Sequence, residues 1–449
     1  MKKEFSNNTL EVFTKVLFHN IPNILTYIDE IPDRRQGPDY SMRYVTMSEM
    51  LMFLSEGRSQ RFTETAFKEE MFYKNMEKII QEKVTKVPDS EIYTNTFSRI
   101  EQEEIDEFQY KIMYQMLRSK KFQESKILGR YNTVIDGVTF QKSHRKISDE
   151  WLSKTINGET TYNISMLDMK LVVNDMAISL KNEMIRNKDM KNENETEEDV
   201  AKKSEEKRKQ DCELNASKRL IKNFKEMYPR LKIRIIADSL YPSAPLIALC
   251  EESDIEYIFV LKDKKLPTLL NDFLEIVSMP EGKRAMEENA NEIIFTMWEN
   301  EIDYRGKKVN VIRQIRKNKK TNEDSVWMWI TNRKITEKNL RKIVYCAKLR
   351  DYIENQGFRE QKVTSGIDLE HVYSENTKAI KVIYVLIQIT HMLLQIIEHS
   401  DICGDFKEKY RSVKVFRRKF YAHLIERIIN IEQIQIKIQI RFNKSLMIC

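Results

Sequence analysis

Glycine and proline are scarce, at 10 and 9 residues in a chain of 449. Turn-dense sandwiches and propellers, collagen-like chains and Gly-rich linker proteins use both far more often, so the composition argues against all of them. Cysteine is scarce too. The five stand far apart, at Cys212, Cys250, Cys346, Cys403 and Cys449, with no Cys-x-x-Cys pair and no Cys/His interval suited to zinc. A sparse, odd count fits a reducing cytoplasm better than a disulfide framework. No uninterrupted apolar run follows the N-terminal lysines, so no signal peptide is read. The most apolar stretch, Tyr384 to Ile397, carries Gln388, Thr390, His391 and Gln395 and reads as too short and too polar to span a bilayer. A cytoplasmic chain with no membrane partner is expected.

What remains is a helix-rich α or α/β protein. Hydrophobic residues make up 41% and charged residues 32%, enough for a sizeable core and too apolar for disorder. At roughly 150 residues per domain, two to four domains are expected. Lys and Arg number 76 against 69 Asp and Glu, a net +7 that hints only weakly at a polyanion partner. Its distribution says more. From Arg305 to Lys320 there are eight Lys/Arg and no acid, and from Lys407 to Lys419 seven against one. Binding to phosphates needs such local density, although a solvated charged face is the plain alternative.

Along the chain, residues 1–125 read as helical, with apolar residues three and four apart in LEVFTKVLFHNI and MSEMLMFLSEG. At Tyr131 a short β-branched run, NTVID, begins and is expected to stop at Gly137. YNISMLDMKLVV and MAISLKNEMI read as two further strands joined by the turn Asn174-Asp175. The stretch 187–211 is charged and reads as a flexible excursion or an exposed helix start. A helix from Cys212 to Met227, a strand LKIRIIAD, a short helix and a strand YIFVLK complete the first part of a core at 126–264. Three strand-like runs without helices between them make 265–334 a small β-rich insertion. Helices return over 335–400, and 401–449 reads as a basic helical tail. The fold class is α/β.

Two acids stand at strand ends, where α/β sheets hold their ligands. Asp136 closes Val134-Ile135 and Asp238 closes Ile235-Ile236-Ala237. Either alone could equally close a turn or cap a helix. A third, Glu354, lies one helical turn after Arg350, and Gly357 is expected to end that helix.

These residues fall in blocks that together resemble a family. IPDRR (31–35), VIDG (134–137), TYNISMLDMKLV (161–172), QDCELNASKRL (210–220), IIADSLY (235–241) and RDYIENQGFREQK (350–362), with LEHVYS just after, occur in the order found in DDE-type insertion-sequence transposases with a β-rich insertion before the last acid. The resemblance spans most of residues 30–400. It implies a ribonuclease H-like mixed sheet flanked by helices, with Asp136, Asp238 and Glu354 as the acid triad.

It further implies Mg²⁺, with Mn²⁺ as substitute and two ions roughly 4 Å apart on hard oxygen ligands. Arg350 and Lys362 match the basic members of the motif. Tyr352, and Arg313, Arg316 and Lys317 in the insertion, are the further candidate DNA contacts. The pattern departs at Ala347 and Tyr352, where Tyr and Trp are common, and Lys362 follows Glu354 by eight residues, one more than usual. Trp327 and Trp329 share a strand face and read first as core, with base stacking as the second role. The function implied is cleavage and strand transfer at inverted-repeat DNA ends by a homodimer on DNA. Residues 1–125 would then contact DNA ends or the other subunit. A decayed, transposase-derived DNA-binding protein and a ribonuclease H-like nuclease without transposition are the alternatives.

Overall fold

Three hairpins show how local sequence lays out the sheet. Asn174-Asp175, Asn157-Gly158 and Arg305-Gly306 all have positive φ at both positions. That two-residue turn matches the right-handed twist of the strands it joins. In the computed structural model these turns join β3 (Glu159–Val173) to β4 (Met176–Ile185), β2 (Leu152–Ile156) to β3, and β8 (Glu292–Tyr304) to β9 (Lys307–Asn318). The structure describes residues 8–187, 196, 205–262, 266–364, 367–430 and 440–442, with side chains of the helix Glu205–Met227 described from Cys212. Most of the charged stretch at 187–211 therefore lies outside the described residues. Its last residues form the start of that helix.

Among the described residues, ten strands join one mixed sheet. β1 (Tyr131–Ser143) is antiparallel to β3 and parallel to β5 (Ile233–Ala237). β5 runs parallel to β6 (Glu256–Val260), and β4 pairs with β3 on the side away from β1. One end of the sheet thus has the order β4-β3-β1-β5-β6.

Beyond β6 come β10 (Asp324–Thr331), β9, β8 and β7 (Lys283–Glu288). The insertion is therefore no detached module. Trp329, Ile330 and Thr331 of β10 pair with Val260, Phe259 and Ile258 of β6 and extend the same sheet. It has four strands where three were expected, and a helix, Pro267–Ser278, precedes them. β7 was missed because Lys283-Arg-Ala-Met-Glu-Glu288 is an exposed edge with no apolar alternation to read.

β1 also departs from expectation. It does not stop at Gly137 but runs on to Ser143, with a bulge at Gln141. Two backbone bonds, from the Gln141 and Lys142 amides to Leu369 and Glu370, hold this second half. Asp136 is consequently mid-strand. Its parallel neighbour β5, however, pairs only as far as Val134. The sheet opens beside Asp136 because β5 ends there.

The core is organised around the helix Thr377–Glu398. By length and composition it could cross a membrane, yet its apolar window is wholly buried in the fold. Within this 22-residue helix, Lys381 donates to Asn182, Tyr384 to Asp168 and Gln395 to Glu360, all in the interior. Helices from the N-terminal segment, including Thr9–Asn20, Met42–Leu54 and Gln102–Arg118, pack around it. The C-terminal helix Val413–Glu426 closes on the same core, with the Thr9 amide and hydroxyl 3.0 and 2.8 Å from His423 Nδ1. One member of the basic run there, Arg417, is buried and donates to the Phe53 carbonyl, so it is a structural cation.

Candidate active site

Asp136, Asp238 and Glu354 come from three elements. β1 carries the first, the residue after β5 the second, and a helix docked across β1 and β4 the third. Asp136 Oδ1 accepts from the Gly137 amide at 2.9 Å, and Asp238 Oδ1 from the Leu240 amide at 2.7 Å. Each carboxylate is thereby aimed by its own backbone.

Arg350 is the hinge of the cluster. Its Nη2 lies 3.9 Å from Asp136 Oδ2 and its Nη1 4.0 Å from Glu354 Oε2. Burial pushes the Asp136 carboxyl up to about 6; the Arg350 charge and the Gly137 amide pull it down, while Asp238 and Glu354 push it up. The two other acids are thus near enough to be felt at Asp136.

Glu354 is the second residue of a wide, π-type helix, Ile353–Thr364. Such turns are rare and concentrate at functional sites. Gly357 does not end it. The glycine is needed because Lys170 passes beneath: a Cβ there would meet Lys170 Cδ at 3.0 Å and Ile353 Cγ1 at 3.3 Å.

A cleft of about 540 Å³ lies between this helix and β1. From the helix it is lined by Glu354, Asn355, Phe358, Arg359, Lys362 and Val363, and from β1 by Asp136 to Thr139. The helix positions recur every four residues, a longer period than the 3.6 of an α-helix. This wider winding absorbs the extra residue before Lys362, which still faces the same cleft as Glu354. Lys362 also pairs with Glu370 at 3.1 Å.

The other sequence candidates divide. Tyr352 turns its hydroxyl to Asp175 Oδ1, at 3.0 Å, on the β3–β4 turn. Arg313 and Arg316 point to opposite faces of β9, since their positions differ by an odd number; Lys317 shares Arg313's face. Arg316 bonds Glu292 at 3.1 Å and lies 5.9 Å from the centre of the Trp327 ring. Lys348, two residues before Arg350, approaches the same ring at 5.7 Å. Trp329 is buried and serves the core, whereas Trp327 is 39% exposed.

Two residues were missed. Arg359 sits in RDYIENQGFREQK and shares the cleft; its signal was the eight-residue Glu–Lys interval, which places positions 355, 359 and 363 beside 354, 358 and 362. Glu213, in QDCELNASKRL, accepts from the buried Tyr241 hydroxyl at 2.9 Å. Its Oε2 would lie 3.5 Å from a Cβ at Gly137, so a fourth carboxylate stands beside Asp136.

The donor set is hard oxygen, which suits Mg²⁺ or Mn²⁺ and not zinc. Among the described residues, no three His, Cys, Asp or Glu side chains are gathered tightly enough to hold one metal ion. The Arg350 guanidinium stands between Asp136 and Glu354 as their countercharge. The Asp136 carboxyl is raised mainly by burial, with Asp238 and Glu354 adding to it, and a bound divalent cation would act in the opposite direction. No family model and no curated protein sequence matches the chain.

Proposed function

We propose that the chain is a DNA-cleaving and strand-transferring enzyme of the DDE transposase kind, with Asp136, Asp238 and Glu354 as the acids that hold its metal ions. One observation carries the reading most. Three acids far apart in sequence come near enough to interact electrostatically beside the opening where β5 ends, with Arg350 between two of them. Support comes also from the strand order β4-β3-β1-β5-β6, three antiparallel strands followed by two parallel ones, which is the order a ribonuclease H-like sheet requires. A structural ion-pair network is the plain alternative; the open cleft lined by Asp136, Glu354, Arg359 and Lys362 favours a ligand site over it.

Bound Mg²⁺ or Mn²⁺ would supply charge stabilisation on the attacking and leaving oxygens of a phosphodiester. The chain's own residues do the rest. Arg350 presents a planar fork that can pair with two phosphate oxygens, and Lys362 and Arg359 add positive charge along the cleft. Asp136 and Asp238 are each fixed through Oδ1 by a backbone amide, which leaves the second oxygen of each for a ligand. The exposed ring of Trp327, flanked by Arg316 and Lys348, offers a surface for an unpaired base. Two DNA ends must be held together for transfer, so a homodimer on DNA is part of the proposal.

A second reading has an observation in its favour. Glu354 is 66% exposed at its side chain and is not gathered with the other two acids around one ion position. A transposase-derived DNA-binding protein that no longer cuts would also show this. Incubating the protein with Mg²⁺ and DNA from either flank of its coding region, then mapping breaks, separates the readings. Breaks confined to short inverted repeats support a transposase, breaks spread along the DNA support a nuclease, and end binding without breaks supports the non-cutting protein.

A further inference from the structure

The helix Thr377–Glu398 carries a polar stripe that a buried helix would ordinarily exclude. Lys381, Tyr384, Gln388, His391 and Gln395 recur at intervals of three, four, three and four residues, and all are buried. That spacing makes a single narrow seam along one face. The seam faces the sheet at one end and the Glu354 helix at the other.

At the sheet end, the Tyr384 hydroxyl donates to Asp168 Oδ2 at 2.8 Å. Asp168 lies opposite Asp136 in the β1–β3 register. In the middle, Gln388 Oε1 accepts from Lys170 Nζ at 2.5 Å and from Gln361 Nε2 at 2.9 Å. At the far end, Gln395 Nε2 donates to the Gln356 carbonyl and to Glu360 Oε2, both at 2.9 Å. Gln356, Glu360 and Gln361 all belong to the helix that bears Glu354.

Apolar packing would hold that helix as firmly but without direction, since burial free energy is insensitive to a small slide. Hydrogen bonds at 356, 360 and 361 fix its register. Buried polar contacts cost desolvation and are retained where they specify one arrangement among several.

We propose that this polar seam is the positioning device of Glu354, and that Gln388 and Gln395 are its positioning residues. The assignment rests on the reading of Asp136, Asp238 and Glu354 as metal-holding acids. It adds the element that decides where the third acid stands.

The test is calorimetric titration of the full chain with Mn²⁺, run on wild type, Gln361→Met/Gln388→Met and Gln395→Met. Methionine keeps length and volume; the double variant removes both ends of the Gln361–Gln388 bond but takes a partner from Lys170, and Gln395→Met takes one from Glu360, so each is expected to lose some stability. Thermal melting identifies which variants are folded. Gln395→Met alone decides the matter if the double variant is not folded, because it breaks a separate pair of bonds at the other end of the seam. Folded seam variants should bind Mn²⁺ about 10- to 100-fold more weakly, the usual effect of losing a group that orients a ligand.

The same substitutions should change affinity by no more than about two-fold when Glu354→Gln is already present, because the seam then has no ligand to position. Unchanged affinity in the folded variants, or an equal loss in both backgrounds, overturns the assignment. Failure of the underlying reading looks different. Wild type would then bind no Mn²⁺, or bind it as tightly after Asp136→Asn, and the assignment would fall with it.

Discussion

The aliphatic chain of Lys170 runs under Gly357, so close that a methyl group on the glycine would stand 3.0 Å from Lys170 Cδ. Lys170 is itself fixed, 3.4 Å from Asp168 and hydrogen-bonded to Gln388. It cannot step aside cheaply. Helix propensity alone would make Gly357→Ala stabilising by about 1 kcal/mol. The overlap should reverse that sign, leaving the variant about 1–2 kcal/mol less stable. Urea unfolding checks it; a more stable variant would show that the helix does not rest on Lys170.

The second prediction concerns Asp136 and pH. Burial pushes its carboxyl up to about 6 from 3.8, so the folded chain binds this proton more tightly than the unfolded one. Its contribution is favourable below pH 4 and lost as pH rises through 6. Asp136→Asn should therefore be more stable than wild type at pH 8 in metal-free buffer, by at most about 3 kcal/mol. The difference should shrink between pH 6 and 4 and narrow when Mn²⁺ is added to the wild type. Melting temperatures across that range provide the check.

Trp327 and Trp329 are two residues apart on one strand face yet should behave differently. Trp329→Ala opens a cavity in a buried site and should cost about 3–5 kcal/mol. Trp327→Ala should change stability by less than about 1 kcal/mol while weakening binding of DNA with an unpaired end. Paired unfolding and fluorescence-anisotropy measurements separate the two roles. Equal stability losses would make both rings core.

The insertion's cations should divide by face. Arg316 shares the Trp327 and Lys348 side, whereas Arg313 and Lys317 look the other way. If DNA lies along the cleft, Arg316→Ala should lower the slope of log affinity against log salt by about one contact's worth. Arg313→Ala should leave it unchanged. The opposite pattern would place DNA on the far face of the insertion.

Much of this could be read from the residues, and the misses have physical causes. The strands around Asp136 and Asp238 announce themselves by β-branched runs, and Asn174-Asp175 by its turn chemistry. Asn157-Gly158 carries an equally strong turn signal, but polar β2, with Ser153, Lys154 and Thr155, hid the hairpin. The continuation of β1 past Gly137 depends on backbone bonds to Leu369 and Glu370, distant in sequence. Gly357 reads as a helix stop because local rules cannot see Lys170 beneath it. Glu213 is silent as a sequence position, since only the fold brings its carboxylate beside Gly137.

The central claim, that three carboxylates form one metal-dependent cutting site, is tested most directly by plasmid nicking. Supercoiled plasmid carrying the DNA that flanks the coding region would be incubated with Mn²⁺ and wild type, Asp136→Asn, Asp238→Asn or Glu354→Gln. The account predicts nicking by wild type that chelation abolishes and that each amide reduces at least about 100-fold. Nicking that survives all three substitutions, or needs no divalent ion, would contradict it.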